Sequence, residues 1–181
     1  LRYPMPYQEV FRSYAATHGV DEAWVLGLVR QESRFNTEAR SSAGAAGIMQ
    51  VMPRTARYVA SRIGMRNYRP KSVTEIETNV TLGTAYLKLV MEQLGHPVLA
   101  SAAYNAGPSR ARRWRDEKPL EGAVYIESIP FPETRDYVKK VMANAWFYTH
   151  RLTGKTASLR VLMGTVPGRN GGDATSLAAI P

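Results

Sequence analysis

Val25-Leu26-Gly27-Leu28-Val29-Arg30-Gln31-Glu32-Ser33 is the stretch that decides how the chain is to be read. Val25, Leu28, Val29 and Glu32 fall at i, i+3, i+4 and i+7, so a helix places the carboxylate on the stripe that carries its core-facing residues. Burial disfavours the charged form of a carboxyl. A helix ending near Ser33 to Asn36 would add the negative end of its dipole. Both effects raise the pKa, and a carboxyl still protonated near neutrality can act as a general acid. A buried glutamate tied to an arginine or to backbone is the plainer reading of this helix taken alone.

Outward from that helix the chain reads as helices joined by loops. A first helix covers Tyr7 to Ala16 and ends by Gly19; Asp21 is a good N-cap for the second. Residues Thr37 to Gly47 are rich in Ser, Ala and Gly, which suits a compact turn. Pro53 fits the first turn of a third helix, with the stripe Ala56, Val59, Ala60 and Ile63 stopping at Gly64. Thr74 and Glu77 have capping-box spacing ahead of a long core helix marked by Val80, Gly83, Leu87, Val90, Met91 and Leu94. Pro97 restarts the chain into a helix that closes on Tyr104-Asn105-Ala106-Gly107-Pro108. A short segment lies near Glu121 to Ser128. From Thr134 the stripe Val138, Val141, Met142, Ala145, Thr149 and Leu152 is helical and ends at Gly154. Residues 1–154 are therefore expected to form one all-α domain. Residues 155–181 are expected to form an irregular C-terminal arm of that domain, frayed at its tip.

Composition narrows the chemistry. With 181 residues and 44% hydrophobic content the chain can bury a core, and with no cysteine it has neither disulfides nor thiolate metal sites. His18, His96 and His150 show no ligand spacing, so no metal or other cofactor is expected. No apolar run approaches a membrane span. The chain opens on Leu1 without a signal-peptide pattern, which suggests a processed product or a piece of something longer. The net charge of +9 and pI of about 10.0 imply an anionic partner. Arg110-Ala111-Arg112-Arg113-Trp114-Arg115 is a basic stretch with an aromatic in it, read equally as a solvated turn or a polyanion contact. No nucleic-acid reader motif accompanies it.

Four stretches in order carry a resemblance: Gln31-Glu32-Ser33; Gly44-Ala45-Ala46-Gly47-Ile48-Met49-Gln50-Val51-Met52-Pro53; Ala103-Tyr104-Asn105-Ala106-Gly107; and Ile129-Pro130-Phe131-Pro132-Glu133-Thr134-Arg135-Asp136-Tyr137-Val138. Each is weak alone, but together they are similar to the signatures of the lytic transglycosylases, closest to the catalytic domain of the soluble lytic murein type, glycoside hydrolase family 23. The resemblance implies a goose-type-lysozyme-like fold and a peptidoglycan cleft in the bacterial envelope or periplasm. Glycan strands are the implied partner, rather than nucleic acid, with further domains in a longer chain. It makes Glu32 the single catalytic acid, with Ser41, Gln50 and Met52 lining sugar subsites and Tyr104 and Glu133 facing the catalytic carboxyl. Asn105, beside Tyr104 in the third signature, is expected to bind substrate with them. Deformable Met and the donors and acceptors of Gln, Ser and Tyr suit sugars on their own terms. Read without the resemblance, the plainer readings are preferred: Met52 as a core residue, Tyr104 as a helix-end plug and Gln50 as a loop tie.

One acid fits that chemistry. Inverting glycosidases need a second carboxylate and retaining ones a nucleophile about 5 Å from the acid; near Glu32 the sequence offers only Glu38, in a loop. The implied reaction uses the substrate's own C6 hydroxyl and yields a 1,6-anhydro ring. Glu133, just before or within the first turn of the last long helix, stands at a positive dipole end that favours an anion. It is therefore expected to be structural or substrate-orienting. A goose-type hydrolase and a non-catalytic peptidoglycan-binding module are the nearest alternatives, with a nucleic-acid binder third.

Overall fold

The computed structural model describes residues 2–169. Its organising element is α2, Glu22–Glu32, whose residues from Ala23 to Val29 are all buried. Asp21 caps it, accepting from the Trp24 amide at 2.7 Å, and Trp24 donates its indole N–H to Ser101 at 3.0 Å. A helix buried on every side must meet another closely. The partner is α8, Pro132–Thr153, which makes the most extensive helix contact of the fold with α2. Gly27 is what allows it: a Cβ there would lie 2.7 Å from the Ala145 nitrogen and 2.9 Å from the Val141 oxygen. Asn144 bonds across the same gap, donating to the Gly27 carbonyl at 3.2 Å.

Around this pair pack α1 (Gln8–His18), α3 (Pro53–Arg62), α4 (Ile76–Leu94), α5 (Pro97–Ala106), α6 (Pro108–Arg113) and α7 (Gly122–Ser128). One core runs through them, from Phe11 through Leu28, Leu87 and Leu99 to Tyr148. The described residues are thus mostly helical, as the periodicity predicts.

Several local expectations give way to the structure. Thr74 does not cap α4. Residues Pro70–Thr74 form a 3₁₀ turn, and Glu75 takes the N-cap position without a side-chain bond. Helix α8 starts two residues before Thr134, because Pro132 fits the first turn, where its missing N–H is no loss. Ile63 is 38% exposed, since it follows the last turn of α3 rather than continuing its stripe. The C-terminal arm is less irregular than expected. It holds a short helix, α9 (Leu159–Met163), and a strand, β2 (Thr165–Val166), paired antiparallel with β1 (Leu120–Glu121). That pairing matches Leu120 with Val166, whose side chain is buried; two-residue strands are too short to show a period of their own. The expected fraying of the tip falls on residues outside those described.

The basic stretch is not one solvated face. Helix α6 turns Ala111 inward, Arg115 is buried at 4% exposure, and Arg110 stacks its guanidinium 5.3 Å from the centre of the Phe131 ring.

Candidate functional site

Glu32 is the last residue of α2. Ser33 stops the helix: its amide bonds the Val29 carbonyl at 3.0 Å and its hydroxyl donates to the Ile48 carbonyl at 2.6 Å. Arg34 and Phe35 then turn the chain away with φ of 52° and 68°. The carboxyl is thereby left at the helix end, between α8 and the loop that follows. Tyr137 of α8 donates its hydroxyl to Glu32 Oε1 at 2.5 Å. Some of the residue meets solvent, but enough protein encloses it that burial pushes the carboxyl up to about 7, against a smaller downward pull from the Tyr137 bond. Burial, then the Glu32 charge, holds the phenols of Tyr137 and Tyr104 well above their ordinary range. Both are therefore protonated donors.

The facing wall is the loop between Ser33 and Met52. It buries Phe35, Ile48, Met49 and Val51 in the core, and its backbone is held by polar ties. Asn79, wholly buried on α4, accepts from the Met49 amide at 2.7 Å and donates to Ala46 at 2.9 Å and Val73 at 2.6 Å. Gly47 is the residue it presses on: φ is 80°, and a Cβ would fall 2.2 Å from the Asn79 amide nitrogen. Tyr104 adds a tie from α5, donating to the Met49 carbonyl at 2.8 Å.

A cavity of about 240 Å³ opens between this loop and α5, walled by Gln50, Met52, Arg54, Tyr86, Tyr104 and Asn105. Met52 is 40% exposed there, so it presents apolar surface to the cavity rather than packing in the core. Gln50 has both its donor bonds inside the loop, to Ala39 at 2.9 Å and Gly47 at 2.8 Å, which leaves its carbonyl oxygen for a ligand. Asn105 accepts from Thr134 at 2.8 Å, and its amide nitrogen has no hydrogen-bond partner among the described residues. Ser41, in the same loop, does not line this cavity; its side chain accepts from the Ala45 amide at 3.0 Å and closes a turn. The Tyr104 hydroxyl, expected to face the reacting group, spends its proton on the loop. Glu133 is exposed in the first turn of α8, one turn before Tyr137, and no hydrogen bond joins it to Glu32 among the described residues.

Two residues of the site had no role in the sequence reading. Tyr137 was within the fourth signature, and its i+4 relation to Glu133 puts it on the same face of α8. Asn79 shares a stripe with Gly83 and Leu87, and an amide on a buried stripe is the signal that marks it. Among the described residues no group of three or more His, Asp or Glu could hold a metal ion.

Comparison with known proteins follows the same outline. The transglycosylase SLT domain family matches residues 9–123, and the soluble lytic transglycosylase helical domain matches residues 128–156. The chain is 39% identical to the soluble lytic murein transglycosylase of Salmonella typhimurium over 86% of its own length and 25% of that protein. It is 37% identical to the Escherichia coli K12 protein of the same name over 85% and 24%. It superposes on a lytic transglycosylase Slt from Pseudomonas aeruginosa, solved as an inactive Glu-to-Gln mutant, with a TM-score of 0.81 and 41% identity, over 83% of this chain and 25% of that one. The 70 kDa soluble lytic transglycosylase of Escherichia coli gives 0.79 and 35%, over 87% and 26%. The all-α fold is thus the one these enzymes share, and the chain spans about a quarter of the length of the relatives it matches.

Proposed function

Because the chain belongs to the transglycosylase SLT family, we propose that it cleaves the β-1,4 bond between N-acetylmuramic acid and N-acetylglucosamine in peptidoglycan without adding water, in the bacterial envelope, most simply the periplasm. The observation that carries this reading is the Glu32–Tyr137 pair: a carboxyl pushed up to about 7 by burial, with one oxygen engaged by a phenol. Since Oε1 accepts from Tyr137, the acidic proton resides on Oε2.

Glu32 gives that proton to the linking oxygen as the C1–O bond breaks, and its electron pair stays with the departing N-acetylglucosamine hydroxyl. The muramic N-acetyl carbonyl supports the electron-poor anomeric carbon. Glu32, now anionic and steadied by the Tyr137 hydrogen bond, takes the proton of the C6 hydroxyl. O6 then closes on C1 to give the 1,6-anhydro ring, and Glu32 ends protonated as it began. A nucleophile inside the substrate has a high effective concentration, so no second carboxylate is required. Met52, Gln50 and Asn105 bind the sugars along the wall, Tyr104 fixes the loop beneath them, and Glu133 and Ser41 serve the rim. The inactive Glu-to-Gln form of the Pseudomonas relative supports one indispensable carboxyl.

Digestion of purified murein sacculi tests the reading. Soluble muropeptides with anhydro ends, one water lighter than hydrolytic products, are expected by mass spectrometry. Reducing muramic ends would make the protein a hydrolase, and no release would make it a binding module.

A further inference from the structure

The positive charge of the chain is concentrated on one part of its surface. From Pro53 to Thr74 the sequence carries Arg54, Arg57, Arg62, Arg66, Arg69 and Lys71 and neither Asp nor Glu. All six residues are exposed, and among the described residues none of them makes an ion pair. Cations elsewhere do: Arg12 joins Glu22 at 3.6 Å, Lys139 joins Glu127 at 2.6 Å and Arg160 joins Glu121 at 3.0 Å.

The fold draws the six together. Helix α3 buries Thr55, Ala56, Val59 and Ala60, which leaves Arg54, Arg57 and Arg62 on its opposite face. The helix stops at Gly64, with φ of 70°, and the Met65 amide returns to the Ala60 carbonyl at 2.8 Å. The following segment therefore runs back beside α3, and its 3₁₀ turn at Pro70–Thr74 packs against that helix. Burial pushes the Tyr68 phenol up while the charge of Arg57 pulls it down, so the loop and the guanidinium are neighbours. Ile63 stands exposed at the helix end, between Arg62 and Arg66 in the chain.

Unpaired like charges held close together sum to a potential that attracts a surface of opposite sign. The planar guanidinium fork matches phosphate. An apolar side chain among such cations gains by entering the boundary between lipid headgroups and acyl chains, whereas an acidic polymer offers Ile63 nothing to enter. We infer that this basic face binds the surface of an anionic phospholipid bilayer, its arginines on lipid phosphates and Ile63 inserted between them. Arg54 also walls the site cavity, so the docked chain holds the mouth of that cavity near the membrane surface. None of this depends on the cleavage reaction proposed above.

Flotation of the chain with vesicles tests the contact, using phosphatidylglycerol and phosphatidylcholine in equal parts or phosphatidylcholine alone. Binding to the anionic vesicles only, reversed by salt, is expected. Arg57→Gln, Arg62→Gln and Arg66→Gln together should weaken it on the order of a hundredfold. Ile63→Ser should weaken it severalfold and leave the salt dependence unchanged. Removing three exposed cations elsewhere, by Arg12→Gln, Lys88→Gln and Lys139→Gln, should weaken it far less, because each already faces a carboxylate. Equal binding to both kinds of vesicle, equal loss in the two triple variants, or full binding by Ile63→Ser overturns the inference. So does release by polyglutamate or a single-stranded oligodeoxynucleotide at a lower concentration of negative charge than the lipid presents, which would make the partner an acidic protein or a nucleic acid.

Discussion

The two walls around Glu32 are held by different means. On one side α2 and α8 meet through apolar packing, close enough that Gly27 admits no Cβ, with Asn144 bonding the Gly27 carbonyl and Tyr137 bonding Glu32. On the other side the loop from Ser33 to Met52 is fastened by hydrogen bonds from Ser33, Asn79 and Tyr104 to backbone groups. The helical wall sets the protonation of the acid by excluding water. The loop wall sets the shape of the cavity, and buried polar ties do this because each is expensive to leave unmade.

Glu32→Gln tests the helical wall most severely. Loss of the general acid should reduce cleavage by a factor on the order of a hundred to ten thousand or more. The same variant should be more stable at alkaline pH. Burial pushes the folded carboxyl up to about 7 from its ordinary value of 4.5, so the folded state holds the proton more tightly. The stability this gives wild type is fully present below the unfolded value and is lost as pH rises through about 7. At pH above that range wild type carries a poorly solvated anion that the amide avoids, a difference of about 3 kcal/mol. Melting curves should therefore favour the variant above neutrality and converge toward acid pH. A variant melting lower on the alkaline side would show that Glu32 is a stabilised anion.

Asn79→Ala attacks the loop wall instead. It strands the Met49 amide and the Val73 carbonyl, at about 1–3 kcal/mol for each buried group left unsatisfied, while the Ala46 carbonyl keeps its bond from the Val51 amide. A clear drop in melting temperature with faster hydrogen exchange at Met49 is expected. Unchanged exchange there would mean that the loop is held by other contacts.

Tyr137→Phe separates the two roles of the helical wall. Removing the bond that favours the anion raises the carboxyl further, so the alkaline limb of the pH–rate profile should move to higher pH while the maximal rate falls about ten- to hundredfold, the scale of a hydrogen bond to a charged group. A limb that moves to lower pH contradicts the assignment. Tyr104→Phe should have the smallest effect, about 1 kcal/mol in stability for one neutral hydrogen bond, with a severalfold loss of activity through a looser Met49. A loss as large as that of Tyr137→Phe would place the Tyr104 hydroxyl in the chemistry.

Periodicity and punctuation in the chain were enough for most helices, because Asp21, Pro53, Pro97, Gly107 and Gly154 act on their own neighbours and need no partner from elsewhere. They were enough, too, to place Glu32 on a buried stripe at a helix end, and burial is the origin of its raised pKa. The partners of that stripe were beyond them. Whether Glu133 or Tyr137, one turn apart on the same face of α8, meets Glu32 depends on the register of α8 along α2, which the close contact of Gly27 with Val141 and Ala145 fixes. The role of Asn79 depends on a loop arriving from far along the chain. The pairing of Leu120 with Val166 joins segments whose local sequence favours neither strand. Local signals act over one or two helical turns; which faces meet is a property of long-range packing, and only the folded chain decides it.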